Sequence, residues 1–141
     1  MKYISTRDPH QSPVAFSDIL LRGLAPDGGL YVPESYPQWN SSDLSRFRSL
    51  LNSQGYPALA AEIISYFVDD IPRDDIEQMT QRAYRVPRFA NPDIVPVSEL
   101  EDGLFIGHLS EGPTAAFKDM AMQLLSERFE YELSRRSSTL N

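Results

Sequence analysis

The sequence contains no cysteine. Disulfides, thiolate nucleophiles and cysteine-ligated zinc are therefore excluded. No apolar run approaches the length needed to span a bilayer. The opening residues, Met1 to Asp8, lack the apolar core of a secretory leader, so a cytoplasmic location is expected. Positive charge is scarce: 13 Lys and Arg face 20 Asp and Glu, for a net charge of −7. An acidic chain repels phosphate backbones and anionic lipid, so no nucleic acid and no membrane is expected as a partner. The acidic pairs Asp69-Asp70 and Asp74-Asp75 lack the spacing of a calcium loop. They read as a solvated face and helix starts, and no metal is expected.

What is present is ordinary globular material. The chain has 141 residues, 41% of them hydrophobic and 23% charged, which is the size of one domain with enough apolar side chains to bury a core. Lys2 to Thr6 alternate in polarity and predict a short edge strand. Ser12-Pro13 suits a helix start, and Phe16, Ile19 and Leu20 recur at helical spacing up to Gly23, which predicts a helix over 13–22. Pro26-Asp27-Gly28-Gly29 is turn chemistry. Leu30 to Pro33 reads as a short extended segment.

Three helical stretches follow. Ser42 can cap the first, which carries Leu44, Phe47, Leu50 and Leu51 and stops at Gly55. Pro57 can open the second, with Leu59, Ala60, Ile63, Ile64 and Phe67. Pro72 can open the third, with Ile76, Met79, Ala83 and Tyr84, and Pro87 closes it. Each has a polar face, so the three should pack as a small satellite bundle. Beyond the connector Asn91-Pro92-Asp93, strands are predicted at 94–97 and 104–109 around the turn Glu101-Asp102-Gly103. Leu104 to Leu109 is nearly continuous in apolar residues, the pattern of a strand buried on both faces. A loop, 110–115, leads to a last helix with Phe117, Met120, Ala121, Leu124 and Leu125 on one stripe, continued by Phe129 and Leu133. The tail, 135–141, is polar. Strand, loop and helix together predict the start of a βαβ unit.

Chemistry concentrates in Leu109-Ser110-Glu111-Gly112-Pro113-Thr114-Ala115-Ala116-Phe117-Lys118-Asp119. Ligands of α/β proteins gather at such strand–helix junctions. Lys118 stands out, because a lysine in the first helical turn opposes the helix dipole. Flanking Phe117 and Met120 would disfavour its ammonium form, and a neutral amine is what condensation with a carbonyl requires. The competing reading is an exposed lysine balanced by Asp119. Phe117 by itself reads as core, Asp119 as an ordinary first-turn acid, His108 as a structural strand residue and His10 as solvated.

The segment Glu111 to Asp119 resembles the cofactor-lysine segment of the threonine synthase family, usually Gly-Pro-Thr-x-Ala-Phe-Lys-Asp. Tyr3, Ser5, Thr6 and Arg7 resemble the opening of that family, Gly23 to Pro33 a second signature, and Ile71 to Tyr84 a third. The match runs in order to about Leu133; Ala115, often Leu in the family, is a small departure. The resemblance implies a pyridoxal 5'-phosphate (PLP) enzyme of fold-type II that converts O-phosphohomoserine and water to threonine and phosphate, a lyase of amino-acid biosynthesis. Lys118 would hold the cofactor covalently and then move protons, and Phe117 would pack beside it. Asp119 would hold the helix start.

The expected fold is thus α+β to α/β. A helical N-terminal domain with short strands over 1–92 would precede the first strands and lysine-bearing helix of the catalytic domain over 93–141. The family's glycine-rich phosphate loop is expected beyond Asn141, with the rest of the catalytic domain. The isolated chain is accordingly expected to be inactive and to bind PLP weakly. Two other readings stay open: a helical interaction or structural module in which Lys118 is inert, and a related fold-type II phospho-lyase or dehydratase.

Overall fold

A computed structural model describes residues 1–8, 10 and 12–136; the predicted polar tail lies outside the described residues from 137 onward. The fold is mixed helix and strand. Strand β1 (Tyr3–Ser5) pairs antiparallel with β2 (Tyr31–Pro33), with Tyr3 opposite Pro33. Tyr3 also exchanges backbone hydrogen bonds with Val14 at 2.9 and 3.0 Å, so β1 is flanked on both sides there and is not a free edge.

The turn before β2 is fixed by side chains. The Asp27 carboxylate accepts the Ser5 hydroxyl at 2.8 Å and the Gly29 N–H at 2.8 Å. The Gly29 N–H, with help from Ser5 and against partial burial, holds the Asp27 carboxyl below its usual range. A Cβ at Gly29 would lie 2.2 Å from Ser5 Oγ, so this position admits only glycine.

Helix α1 (Phe16–Leu20) is shorter than the predicted 13–22. Val14 is taken up by the bridge to Tyr3, which leaves the chain extended until Ala15. Helix α2 (Ser41–Gln54) starts one residue ahead of the expected cap, Ser42. Asn40 caps it instead, accepting from the N–H groups of Ser42 and Asp43, while the Asp43 carboxylate accepts the Asn40 N–H. This reciprocal capping box satisfies donors that a helix start leaves open. Gly55, at φ 81°, ends α2 and starts α3 (Tyr56–Ser65), a break that glycine tolerates without strain.

Helix α4 (Arg73–Ala83) packs on α3 and carries the centre of the core: Ile76, Met79, Thr80 and Ala83 are fully buried. Burying Ile76 or Met79 stabilises by about 1.5–3 kcal/mol each. The expected three-helix satellite is not a separate body. The last helix, α5 (Asp119–Arg135), packs on α4, and Leu124 touches both buried clusters, Ala61–Met79 on one side and Ala83–Ile94 on the other. Glu127 of α5 pairs with Arg82 at 2.6 Å and Arg88 at 3.3 Å, and the Tyr131 hydroxyl donates to Asp75 at 2.8 Å.

Strands β3 (Val97–Glu101) and β4 (Leu104–Gly107) form an antiparallel hairpin around Asp102-Gly103. The predicted strand at 94–97 is displaced: Ile94 sits buried in a left-handed turn at φ 64°. The apolar strand expected over 104–109 wants covering partners, and within the described residues it has none: every residue of β3 and β4 is exposed. Among the described residues no two strands run parallel. Among the described residues no helix is long and apolar enough to cross a membrane.

Candidate functional site

The loop from Ser110 to Lys118 joins β4 to α5. Two backbone features set its path. The Ala90 N–H donates to the Glu111 carbonyl at 2.8 Å, tying the loop to the end of the helical core. Ala115 adopts φ 54°, a left-handed conformation that costs a non-glycine residue roughly 1–2 kcal/mol. The Ala115 N–H closes a turn on the Gly112 carbonyl at 3.0 Å, and the Asp119 N–H closes the next on Ala116 at 3.0 Å. The helix-start N–H groups that could have faced a ligand are thus partly used by the loop's own turns.

Lys118 is the residue immediately before α5, not a member of its first turn: it is helical in φ and ψ but stands as the N-cap, with no side-chain cap bond. The apolar enclosure expected around it is absent. Lys118 is exposed, and Phe117 is 66% exposed. Nor does Asp119 balance its charge. Among the described residues the ammonium has no hydrogen bond and no ion pair. Lys118 is also one of only two lysines in the sequence, the other being Lys2.

Beside Lys118 lies an open cavity of about 500 Å³. Phe117 and Leu109 wall it from the loop, Met120 from α5, Tyr56 from α3 and Val95 from the segment before β3. These walls are apolar or aromatic, and Lys118 is the one charged group among them. Tyr56 is held by a T-shaped contact with Tyr84 at 5.1 Å, and burial raises its hydroxyl pKa. Tyr84 is buried, which raises its pKa more strongly, and its hydroxyl donates to the Met120 carbonyl at 2.8 Å. The arrangement can take a flat apolar ring beside a free primary amine.

Asp119 stands in the first turn of α5, as expected, but its side chain points back into the loop. It is 3% exposed, and its carboxylate accepts the Thr114 N–H at 2.8 Å and the Thr114 hydroxyl at 2.9 Å. It reaches back into the loop and takes no N–H of α5's first turn. A Cβ on Gly112 would lie 2.4 Å from the Asp119 Cβ, so glycine is required at that point.

His108 is tied across the hairpin, its Nε2 2.7 Å from Ser98 Oγ. It is not among the residues lining the cavity. His10 is exposed, as expected. Among the described residues no group of three or more acidic or histidine side chains is placed to hold a metal. Tyr56 and Val95 were not foreseen as cavity walls. They sit 62 and 23 residues before Lys118, and neither pattern nor spacing ties them to it.

Comparison with known proteins gives a consistent neighbourhood. The family described as "Threonine synthase N terminus" matches residues 2–84. The threonine synthase of Corynebacterium glutamicum is 65% identical over the whole of this chain, which covers 29% of that protein. Among solved structures, PLP-bound threonine synthase from Brucella melitensis superposes with a TM-score of 0.84 at 39% identity, over 97% of this chain and 28% of that one. Yeast threonine synthase superposes with a TM-score of 0.83 at 30% identity, over 99% and 28%. The chain therefore spans under a third of the length of these relatives.

Proposed function

The chain belongs to the threonine synthase N-terminus family, and from that premise we propose that it is the front portion of a PLP-dependent threonine synthase in which Lys118 carries the cofactor. The substrate would be O-phosphohomoserine, converted with water to threonine and phosphate. Residues 1–92 would form the N-terminal unit and 93–141 would open the catalytic unit. That division would be one of function rather than of packing, because α5 shares its core with α4. A cytoplasmic location goes with the same reading.

The observation that carries this reading is Lys118 itself: an amine without a partner, at the mouth of an apolar cavity, in a segment that reads Gly-Pro-Thr-Ala-Ala-Phe-Lys-Asp. The cavity suits half of the cofactor. Its aromatic and aliphatic walls suit a pyridine ring, and the amine suits an aldehyde. Among its lining residues none but Lys118 is cationic, so the phosphate would be held by groups from elsewhere. When bound, PLP supplies an aldehyde and an electron-accepting ring.

What the chain contributes follows from its own residues. Lys118 would hold the cofactor, and its amine is the group able to take or give a proton at the substrate carbons. Phe117, Met120 and Tyr56 line the cavity and would pack against the ring. Tyr84 fixes Met120 and Tyr56 from behind. The test is phosphate release and threonine formation from O-phosphohomoserine by the complete polypeptide carrying this segment. Activity and the visible absorbance of bound cofactor should both vanish in Lys118→Ala; retention of either in that variant would overturn the assignment.

A further inference from the structure

We propose that Asp119 is a positioning residue for Lys118: its buried carboxylate, closed on Thr114, sets the shape of the loop from Gly112 onward and so fixes where the amine emerges at the cavity. The proposal rests on the role of Lys118 given above and goes beyond it.

Asp119 is an ionisable group in an unfavourable place. Asp119 is 3% exposed, and among the described residues no cation pairs with it. A buried carboxylate is costly unless hydrogen bonds replace its water. Here the Thr114 N–H, at 2.8 Å, and the Thr114 hydroxyl, at 2.9 Å, are what replace it. Among the described residues the hydrogen bonds of the Asp119 carboxylate go to Thr114 alone, so they couple its burial to the path of the lysine loop.

The geometry is not that of a helix cap. An acid at a helix start ordinarily accepts N–H groups of its own first turn. Asp119 instead reaches back five residues, enclosing Ala115, Ala116, Phe117 and Lys118 in one ring. That ring contains the left-handed Ala115, so the closure offsets backbone strain. Gly112 completes the fit, because its missing side chain leaves the space the carboxylate fills. Lys118 is bonded directly to Asp119, with Cα atoms about 3.8 Å apart. A change in the closure therefore shifts the backbone from which the amine extends. A misplacement near 1 Å reduces a reaction of positioned groups by about a hundredfold.

The test uses the complete polypeptide carrying this segment, incubated with PLP and reduced with borohydride, and reads the phosphopyridoxyl label at Lys118 relative to Lys2 by peptide mass spectrometry. Lys2 serves as an internal control outside the loop. The label ratio should fall on the order of tenfold in Asp119→Ala and recover to within about threefold in Asp119→Asn, whose amide keeps an acceptor for the Thr114 N–H. Thr114→Val, which removes the hydroxyl without touching α5, should fall between them and also serves if Asp119→Ala does not fold. A purely structural role would lower the melting temperature and leave the ratio unchanged in the folded protein; that result overturns the proposal. Should the unaltered complete polypeptide show no preference for Lys118 over Lys2, the assignment of Lys118 fails instead. The closure is then decided by amide exchange: protection of the Thr114 N–H lost in Asp119→Ala and kept in Asp119→Asn supports it, and protection unchanged in both overturns it.

Discussion

The Tyr84 hydroxyl donates to the Met120 carbonyl at 2.8 Å, across 36 residues of sequence. Tyr84 closes the helical part of the chain, and Met120 stands two residues beyond Lys118, so this bond ties the core to the candidate site. Tyr84 is 6% exposed and packs its ring on Tyr56 and Phe89. Tyr84→Phe keeps the ring and removes the donor, and should lower stability by about 1 kcal/mol. Tyr84→Ala also empties the ring's space and should cost about 3–5 kcal/mol. Urea denaturation of the three proteins reads both values. Equal losses in the two variants would show that the hydroxyl contributes everything and the ring nothing.

Gly112 faces Asp119 so closely that an added Cβ would fall 2.4 Å from the Asp119 Cβ and 2.6 Å from its Oδ2. Gly112→Ala cannot be absorbed by a flexible side-chain tip, because the Asp119 Cβ is anchored to the start of α5. The expected loss is about 1–3 kcal/mol, the usual effect of overpacking, with faster amide exchange at Thr114. Gly23→Ala is the control. Nothing lies within 4 Å of its Cβ position, and only its φ of +75° opposes the substitution, for which roughly 1 kcal/mol is expected.

The sequence spoke most clearly where local chemistry decides the conformation. Gly55 ended α2, Pro57 fell in the first turn of α3, and Asp102-Gly103 turned the hairpin, because each acts through its own φ preference. It was less clear where distant contacts decide. Ile94 belongs to a residue type that favours strands, yet burial against Ala83, Tyr84 and Phe89 holds it at φ 64°. Leu104 to Ile106 read as buried because periodicity records which side chains are apolar, not whether anything covers them. At the candidate site Lys118 was visible from its motif. Asp119 was visible as a residue but not in its direction, since a carboxylate at a helix start can bond forward or backward.

Glu62 offers a pH test. It is buried on α3, between Arg46 of α2 and Arg73 of α4, and bonds to both. Burial by itself would raise its pKa, but hydrogen bonds from the two guanidinium groups together pull it below the usual glutamate range. A carboxyl whose native pKa lies below its unfolded value stabilises above about pH 4.3, and that stabilisation fades as pH falls through the lowered native value. Both arginines are about half exposed, which screens the pairs. Glu62→Gln should therefore cost about 1–2 kcal/mol at pH 7, and the difference from the parent chain should shrink on acidification. A difference that stays constant from pH 7 to pH 3 would show that packing, not charge, accounts for Glu62.

The hairpin β3–β4 exposes apolar side chains on both faces: Leu100 is 61% and Phe105 60% exposed, and Ile106 40%. Its outer strand edges are also unpaired among the described residues. Open edges with apolar side chains are a known route to aggregation. Phe105 lies opposite Glu99, so a lysine there gains an opposite charge across the ladder while losing exposed apolar area. Phe105→Lys should raise the concentration at which this chain begins to scatter light and reduce its binding of a hydrophobic dye. Stability should stay within about 0.5 kcal/mol, as for other surface changes. Melting and scattering measured on the same samples separate the two effects. A large loss of stability in this variant would mean that the Phe105 ring is packed in solution, contrary to its exposure in the fold.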